Sequence, residues 1–343
     1  MTKILQVMAG AQHGGAEAFF ERLALGLHRA GESQRLVIRE NSERAARLRA
    51  AGLEVIELPF GGMLDFKTRP ALRHATKEFG PHMVLSWMNR ATKFCPSGRR
   101  DYIHAARLGG YYNLKYYRHC DHLIGNTRGI VDYLCAQGWP PDRVHYLPNF
   151  VSVEKAQPVP RASLDTPDDA PLALALGRLH KNKGFDVLIA ALVQAPRFHL
   201  WLAGEGPEEK ALKAQALRLG VAARVHFLGW RADVPALLAA ADVFVCSSRI
   251  EPLGNVVIEA WAAGVPVVAS ESAGPRELIR DGESGLLVPI ENADRLATAM
   301  RTLADDKDLR ARLAAAGRAA YEVAFSEPCV IALYRAFFAK AAR

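Results

Sequence analysis

The sequence predicts an α/β protein of two doubly wound parallel-sheet domains facing each other across a cleft, and three observations carry that expectation. Short apolar runs alternate with helical periodicity along almost the whole chain. Several of those runs pass through glycine loops into helices, the order in which a βαβ unit is built. A proline-rich break interrupts the alternation near the middle, and 343 residues exceed the roughly 100–200 expected of one domain.

In the first half, KILQVMA (3–9) reads as a strand, GAQHGG (10–15) as a glycine loop and AEAFFERLALGLHRAG (16–31) as a helix closing on Gly31. RLVIRE (35–40) and LEVIELPF (53–60) are the next strands, with the helix SERAARLRAAG (42–52) between them. PALRHATKEFG (70–80) is helical, and HMVLSWM (82–88) is a short strand after Pro81. YIHAARL (102–108) and HLIGNT (122–127) are two more strands, TRGIVDYLCAQG (127–138) is a helix, and RVHYLPNF (143–150) is a closing strand.

QPVPRASLDTPDDAP (157–171) ends the periodicity with Pro158, Pro160, Pro167, Pro171 and a cluster of acids, which marks a linker between domains at 1–156 and 172–327. Beyond it the strands are LALALGRL (172–179), FHLWLAGEG (198–206), RVHFLGW (224–230), DVFVCSS (242–248), VPVVAS (265–270) and GLLV (285–288). The helices between them are GFDVLIAALVQA (184–195), PEEKALKAQALRLG (207–220), VPALLAAA (234–241), NVVIEAWAAG (255–264) and a short turn at GPRELIRDG (274–282). Charged helices fill 293–323, and a last helix at about 328–343 is expected to cross back to the first domain.

Composition excludes several classes of protein. Half the residues are hydrophobic and 23% are charged, which suits two packed cores and not a disordered chain. No run approaches the roughly 18 apolar residues of a membrane span, and MTKILQVMAGAQHGG lacks a signal-peptide core, so a cytoplasmic protein is expected. Cys95, Cys120, Cys135, Cys246 and Cys329 are scattered without a C-x-x-C pair, which suggests reduced thiols and neither a disulfide framework nor a zinc site. The net charge of +8 sits entirely in the first half, where 21 Lys and Arg face 13 Asp and Glu. Residues 90–119 alone hold seven Lys and Arg, one Asp and six aromatics, a composition suited to a phosphorylated partner, an anionic membrane surface or nucleic acid, or to an ordinary solvated face.

Three loops carry candidate chemistry. GAQHGG offers Gly14 and Gly15 at a helix N-terminus, where backbone N–H groups can approach a phosphate, although a ligand-free tight turn reads equally well. Its spacing is neither G-x-G-x-x-G nor that of a P-loop. GRLHKNKG (177–184) places Arg178 and Lys183 where a strand ends, the sheet edge at which open α/β folds bind ligands, and two cations there suit a diphosphate that gains charge as it leaves. In RIEPLGNVVIEAWAAG (249–264), Glu251 falls in the loop and Glu259 about one turn into the helix. The amides of Leu253, Gly254 and Asn255 favour an anion, and the flanking carboxylates can accept hydrogen bonds from pairs of sugar hydroxyls. A phosphate beside a diol describes a nucleotide sugar.

With these motifs in place the chain resembles the family-4 retaining glycosyltransferases, which have two Rossmann-like domains (the GT-B fold). GRLHKNKG, LAGEGPEE, VHFLGW, EPLGNVVIEAWAAGVPVVAS and DGESGLLV carry the resemblance in the second half, and HGGAE and DRVHYLPNFV carry it in the first. The resemblance implies that Arg178 and Lys183 hold the donor diphosphate, Glu259 the ribose hydroxyls, and Glu251 with the amides after it the transferred sugar. It implies that the Gly14–Gly15 loop closes over the β-phosphate, that Gly204 and Gly206 let the chain pass the nucleotide, and that the segment after Phe227 borders the base. Such families often carry a histidine near the reacting carbon; here the matching position is Arg107, with His104 three residues earlier, so an arginine gripping an acceptor phosphate is one reading, and an ordinary packed or exposed histidine is the alternative reading of His104 and of His13. His13, Asn89 and Arg90 complete the acceptor-binding candidates.

The expected activity is therefore sugar transfer with retention from a nucleotide-diphosphate donor, UDP-sugar favoured, in lipopolysaccharide or other surface polysaccharide assembly. No cofactor is expected beyond that co-substrate. The only D-x-D, Asp306-Lys307-Asp308, reads as a charged helix start, so no metal is expected either. The partners expected are the donor, an anionic or lipid-linked saccharide acceptor and peripheral contact with an anionic membrane, with no nucleic acid. The alternatives are a nucleotide-sugar epimerase or hydrolase of the same architecture and, with less support, a basic nucleic-acid binder.

Overall fold

The computed structural model describes residues 2–12, 14–62, 64–96, 101–151 and 156–341, so the candidate His13 lies outside the described residues. They form two compact units, one of Met1–Phe150 with Glu327–Arg343 and one of Val151–Ser326. Both are doubly wound parallel sheets covered by helices, in the α/β class that the sequence predicts.

The first unit holds β1 (Lys3–Met8), β2 (Ser33–Arg39), β3 (Glu54–Leu58), β4 (Met83–Trp87), β5 (Ile103–Leu108), β6 (His122–Gly125) and β7 (Val144–Tyr146), in the order β3-β2-β1-β4-β5-β6-β7. Every pairing is parallel; Val7, for example, sits between Val37 and Ser86. Both faces of this sheet are covered, so β1 reads as a nearly continuous apolar run. Ile4 and Met8 pack into one core, and Leu5, Val7 and Ala9 into the other. The exception, buried Gln6, is satisfied by Gln34 Oε1 at 2.7 Å and by the Trp87 indole N–H at 3.1 Å. The helices are α1 (Gly15–Arg29), α2 (Ser42–Ala50), α3 (Thr68–Phe79), α4 (Met88–Phe94) and α5 (Arg128–Ala136).

The second unit holds β8 (Leu172–Leu176), β9 (His199–Ala203), β10 (Val225–Gly229), β11 (Val243–Cys246), β12 (Val267–Ser270) and β13 (Leu286–Val288), ordered β10-β9-β8-β11-β12-β13. Its helices are α6 (Phe185–Ala191), α7 (Glu209–Arg218), α8 (Val234–Ala240), α9 (Asn255–Ala262), α10 (Ala273–Leu278), α11 (Ala293–Asp305) and α12 (Lys307–Ala324). In each sheet the connections reverse direction beside the first strand, between β1 and β4 and between β8 and β11. Doubly wound folds bind ligands at the carboxyl ends of the strands flanking such a reversal. Those ends are the Gly10–Gly15 and Gly177–Gly184 loops.

The last helix, α13 (Glu327–Ala341), belongs to the first unit. It buries Val330, Ile331, Tyr334, Phe337 and Phe338 in the core shared by α1 and β4. Arg335 pairs with Glu32 at 2.8 Å, and Glu327 pairs with Arg29. Next to Phe337, His145 Nε2 lies 3.0 Å from His122 Nδ1 on the neighbouring strand.

Two features depart from the sequence reading. Residues 157–171 are not a free linker. Arg161 there bonds Ala240 O at 2.7 Å and Asp242 Oδ2 at 2.9 Å, and Thr166 Oγ1 accepts the Trp201 indole N–H at 2.8 Å. The prolines signal the end of regular structure, but specific polar contacts tie the segment to the second unit. Secondly, α4 follows β4 directly through Met88 at φ 60, a turn that no glycine or proline flags.

The histidine pair gives the fold a pH dependence. Burial and then the neighbouring His122 pull the His145 imidazole down to about 4, and burial lowers His122 as well. Between that value and the ordinary histidine value near 6.5 the unfolded chain binds protons that the folded one refuses, so stability is fully present above about 6.5 and falls as pH drops toward 4. Thermal melts of the wild type should show this loss, and His145→Gln should flatten it; an unchanged slope in the variant would refute the assignment.

Candidate active site

In the second unit the site grows from one loop pressed against two strands. After β8 the chain turns at Gly177 (φ 142), runs through Arg178 and buried Leu179 into a short 3₁₀ turn at Lys181–Lys183, and enters α6 at Gly184 (φ 60). A Cβ on Gly184 would lie 2.1 Å from Ser247 O at the end of β11, and the Ser247 hydroxyl donates to Lys183 O at 3.0 Å. The backbone of Lys183 is thereby clamped to the neighbouring strand. Behind the loop, a Cβ on Gly204 would fall 1.9 Å from Gly177 O and one on Gly206 would fall 2.3 Å from Leu179 O. These two glycines, expected to give a nucleotide passage, are required first by contact between backbones.

Lys183 extends along Gly177 and its ammonium donates to Glu251 Oε2 at 2.5 Å. Arg178 leaves the same strand end with its side chain exposed. The other oxygen of Glu251 accepts the Gly254 N–H at 3.3 Å. Gly254 (φ 79) precedes Asn255, the first residue of α9, and Glu259 follows Asn255 at i+4 on that helix, half-buried. The Gly274 N–H donates to Glu251 O at 2.7 Å, and a Cβ there would lie 2.5 Å from the Leu253 carbonyl carbon, so α10 supports the 251–254 turn from behind. The fold thus joins Lys183, Glu251, Gly254 and the start of α9 in one cluster.

Arg249 is the site residue that motif reading missed. Its guanidinium binds Asp186 Oδ1 and Oδ2 at 2.7 and 2.6 Å, Lys181 O at 2.7 Å and Glu291, which ties the 249–254 turn to the start of α6. The Asp186 carboxyl is held below its ordinary value by that arginine. The signal was present as a charge two residues before Glu251, but its partners are 63 and 42 residues away.

In the first unit the glycine loop already holds an anion of its own. Glu17, 6% exposed, accepts the Ala11 N–H at 2.7 Å, and a Cβ on Gly10 or Gly14 would come within 2.4 or 2.3 Å of its carboxylate. Gly14 and Gly15 remain at the N-terminus of α1, while Arg44 braces the loop through Gln12 O at 2.9 Å and pairs with Glu21 at 2.8 Å. Asn89 accepts the Tyr117 hydroxyl at 2.6 Å, and Arg90 is exposed with Nη1 donating to Phe60 O at 3.3 Å.

Two acceptor candidates are corrected. Arg107 is 2% exposed: its guanidinium lies over the Phe19 and Trp87 rings at 4.6 and 4.7 Å and donates to the Tyr334 hydroxyl at 3.0 Å and to Asn149. It cannot grip a phosphate on the surface. His104 is 0% exposed, with Nε2 2.9 Å from Ser86 Oγ and its backbone N–H on Asp121 Oδ2. Both are interior residues of the sheet, and part of what covers Arg107 is Tyr334 from α13, 227 residues along the chain.

Two doubly wound parallel sheets with glycine-shaped strand ends form the two-domain GT-B architecture of solved glycosyltransferases. The chain belongs to the family of glycosyl transferases group 1, whose model matches residues 157–320. It is 38% identical over 328 residues, covering 94% of both chains, to the lipopolysaccharide core biosynthesis glycosyltransferase LpsE of Rhizobium meliloti (strain 1021). LpsD of the same organism is 35% identical, covering 98% of both chains. Among solved structures, Anabaena HepE in complex with UDP and glucose aligns with a TM-score of 0.84 at 22% identity, covering 99% of this chain and 100% of that one. A Rickettsia africae glycosyltransferase aligns with 0.88 at 19%, covering 100% and 99%.

Among the described residues, no group of three or more His, Cys, Asp or Glu is placed to hold a metal ion. Asp306 caps α12 by accepting the Leu309 N–H at 2.8 Å.

The Gly204 contact predicts a stability effect. Gly204→Ala, at φ 145 and without room for a methyl group, should cost about 2–4 kcal/mol in urea denaturation. Arg107→Ala should likewise destabilise by about 3 kcal/mol, through loss of its ring and hydroxyl partners. A fully stable Arg107→Ala protein with a raised acceptor KM would restore the surface role rejected above.

Proposed function

We propose that the chain transfers a sugar, with retention of anomeric configuration, from a nucleotide-diphosphate donor to a saccharide acceptor of lipopolysaccharide core or related surface polysaccharide assembly. The observation that carries this reading is the Lys183–Glu251 pair at the start of α9, one cation and one carboxylate suited to the two ends of an activated sugar. UDP is the favoured nucleotide, in keeping with the UDP and glucose bound to HepE. The acceptor class follows that of LpsE and LpsD, which are lipopolysaccharide core biosynthesis glycosyltransferases.

In this reading Arg178 and Lys183 hold the diphosphate, Glu259 the ribose, and Glu251 with the Leu253, Gly254 and Asn255 amides the sugar. Donor binding exchanges the Lys183 ammonium from Glu251 to phosphate, which frees the carboxylate for sugar hydroxyls. The acceptor oxygen attacks the anomeric carbon from the face the diphosphate leaves. The C–O bond to phosphate breaks as the glycosidic bond forms, and a departing phosphate oxygen takes the acceptor proton. No separate protein base is required, and Arg178, Lys183 and the α9 N-terminus stabilise the growing charge. No metal is needed for that neutralisation. Asn89 and Arg90 serve the acceptor side, with the enzyme working peripherally at the cytoplasmic face of a membrane.

Lys183→Ala should lower kcat by about 100–1000-fold. Glu251→Gln should weaken the nucleotide sugar relative to the bare nucleoside diphosphate, because both ligands gain equally from a Lys183 no longer paired with a carboxylate and only the nucleotide sugar loses a contact. A donor at 100 times its Kd should add about 2.7 kcal/mol to stability. Wild-type binding of no nucleotide sugar, or equal effects of Glu251→Gln on both ligands, would overturn the assignment. Product NMR should show retained configuration, and turnover should persist in excess chelator; inversion, or loss of turnover restored by magnesium or manganese, would reject the corresponding part.

A further inference from the structure

The first unit distributes its positive charge unevenly. Arg22 and Arg39 enter no salt bridge among the described residues, but the other arginines on the side of α1, α2 and β2 are matched: Arg35 binds Glu54 and Glu78 at 2.7 and 2.9 Å, Arg44 and Arg47 share Glu21, and Arg49 binds Glu57. Around the start of α3 they are not. Lys67, Arg69, Arg73, Arg90 and Lys93 are exposed and enter no salt bridge among the described residues. They share one patch: Arg69 donates to Lys93 O at 2.9 Å and lies over the Phe94 ring at 5.5 Å, Phe94 packs on Phe60, and Arg90 donates to Phe60 O. Arg73 follows Arg69 by one helical turn.

Beside Lys67 and Arg69 in the chain stand Leu64, 85% exposed, and Phe66, 77% exposed. Single exposed apolar residues are ordinary, but these two flank one braced residue. Asp65 accepts the Gly61 N–H at 2.7 Å, the Thr68 N–H at 2.9 Å and the Thr68 hydroxyl at 2.5 Å. The Thr68 hydroxyl first, then the backbone donors, hold the Asp65 carboxyl down at about 2, so the brace keeps its charge at any physiological pH. The local acid is spent on the turn, which leaves two exposed apolar side chains beside the unmatched Lys67 and Arg69.

We infer that Leu64 and Phe66, together with the neighbouring patch of unmatched cations, are a docking surface that inserts at the interface of a bilayer rich in anionic lipid. Apolar side chains entering the headgroup region and cations beside lipid phosphates are the two signals that peripheral anchoring needs, each too weak alone. Among the described residues no helix is long and apolar enough to cross a membrane, so contact of this kind is peripheral. From the proposed function the inference takes only the membrane-borne acceptor. Its test uses neither donor nor acceptor, so it can fail while the transferase reading stands.

The full chain should co-sediment with phosphatidylcholine vesicles holding about a third phosphatidylglycerol, weaken as salt rises, and leave pure phosphatidylcholine vesicles unbound. Joint Leu64→Ser and Phe66→Ser substitution should weaken binding about tenfold or more, as should joint Lys67→Glu and Lys93→Glu, both with cooperative melting retained. Lys307→Glu, on the second unit, should bind as the wild type does. Wild-type binding no tighter to anionic than to neutral vesicles, or undiminished binding of both double variants, would overturn the inference. So would a Leu64- and Phe66-dependent dimer in solution without vesicle binding, which would assign the patch to self-association.

Discussion

Contact between backbones at the end of β8 is the constraint on which the second unit depends. Gly177 and Gly204, and Gly184 and the Ser247 carbonyl, approach so closely that no side chain fits between them. That proximity fixes the Lys183 backbone, and only a lysine fixed there reaches Glu251 across 68 residues of sequence. Arg249 closes the arrangement from the other side by binding Asp186 and Glu291, so the turn carrying Glu251 is held at both ends. A glycine requirement, not a charge pattern, comes first in the physical order.

The first unit solves a different problem. Its sheet carries a cation, Arg107, into an interior lined by Phe19 and Trp87, and a helix from the far end of the chain completes the cover with Tyr334. Burying an arginine without a carboxylate is tolerable here because ring faces, a hydroxyl and an amide oxygen take up its donors and charge. The glycine loop after β1 similarly places the carboxylate of Glu17 where two glycines, Gly10 and Gly14, leave it space. Structural needs thus account for several residues whose chemistry reads as catalytic.

Much of the fold was legible because parallel strands buried on both faces leave largely apolar runs, and the strands described in the two sheets fall on such runs even where, as in β5, a polar residue interrupts them. α4 was not legible, since Met88 makes the turn from strand to helix with no breaker residue to mark it. The stretch 157–171 misled for the converse reason: prolines report where periodicity ends and say nothing of what Arg161 and Thr166 then touch. Glu251 and Lys183 were nominated because loop position and residue type suffice to flag them, and the fold brings the two side chains together. Arg107 and His104 were nominated through the resemblance and are interior, because burial depends on what packs above the strand end.

By itself the sequence determined the α/β class, the two strand series, the glycine turns and which loops carry charge, since each follows from local periodicity and residue type. Tertiary structure alone decided that Lys183 meets Glu251, that Arg249 locks the turn, that Arg107 is interior and that Leu64 and Phe66 stand exposed beside unmatched cations. Those outcomes depend on groups tens or hundreds of residues apart, whose distance is set by packing of whole elements and leaves no trace in local pattern.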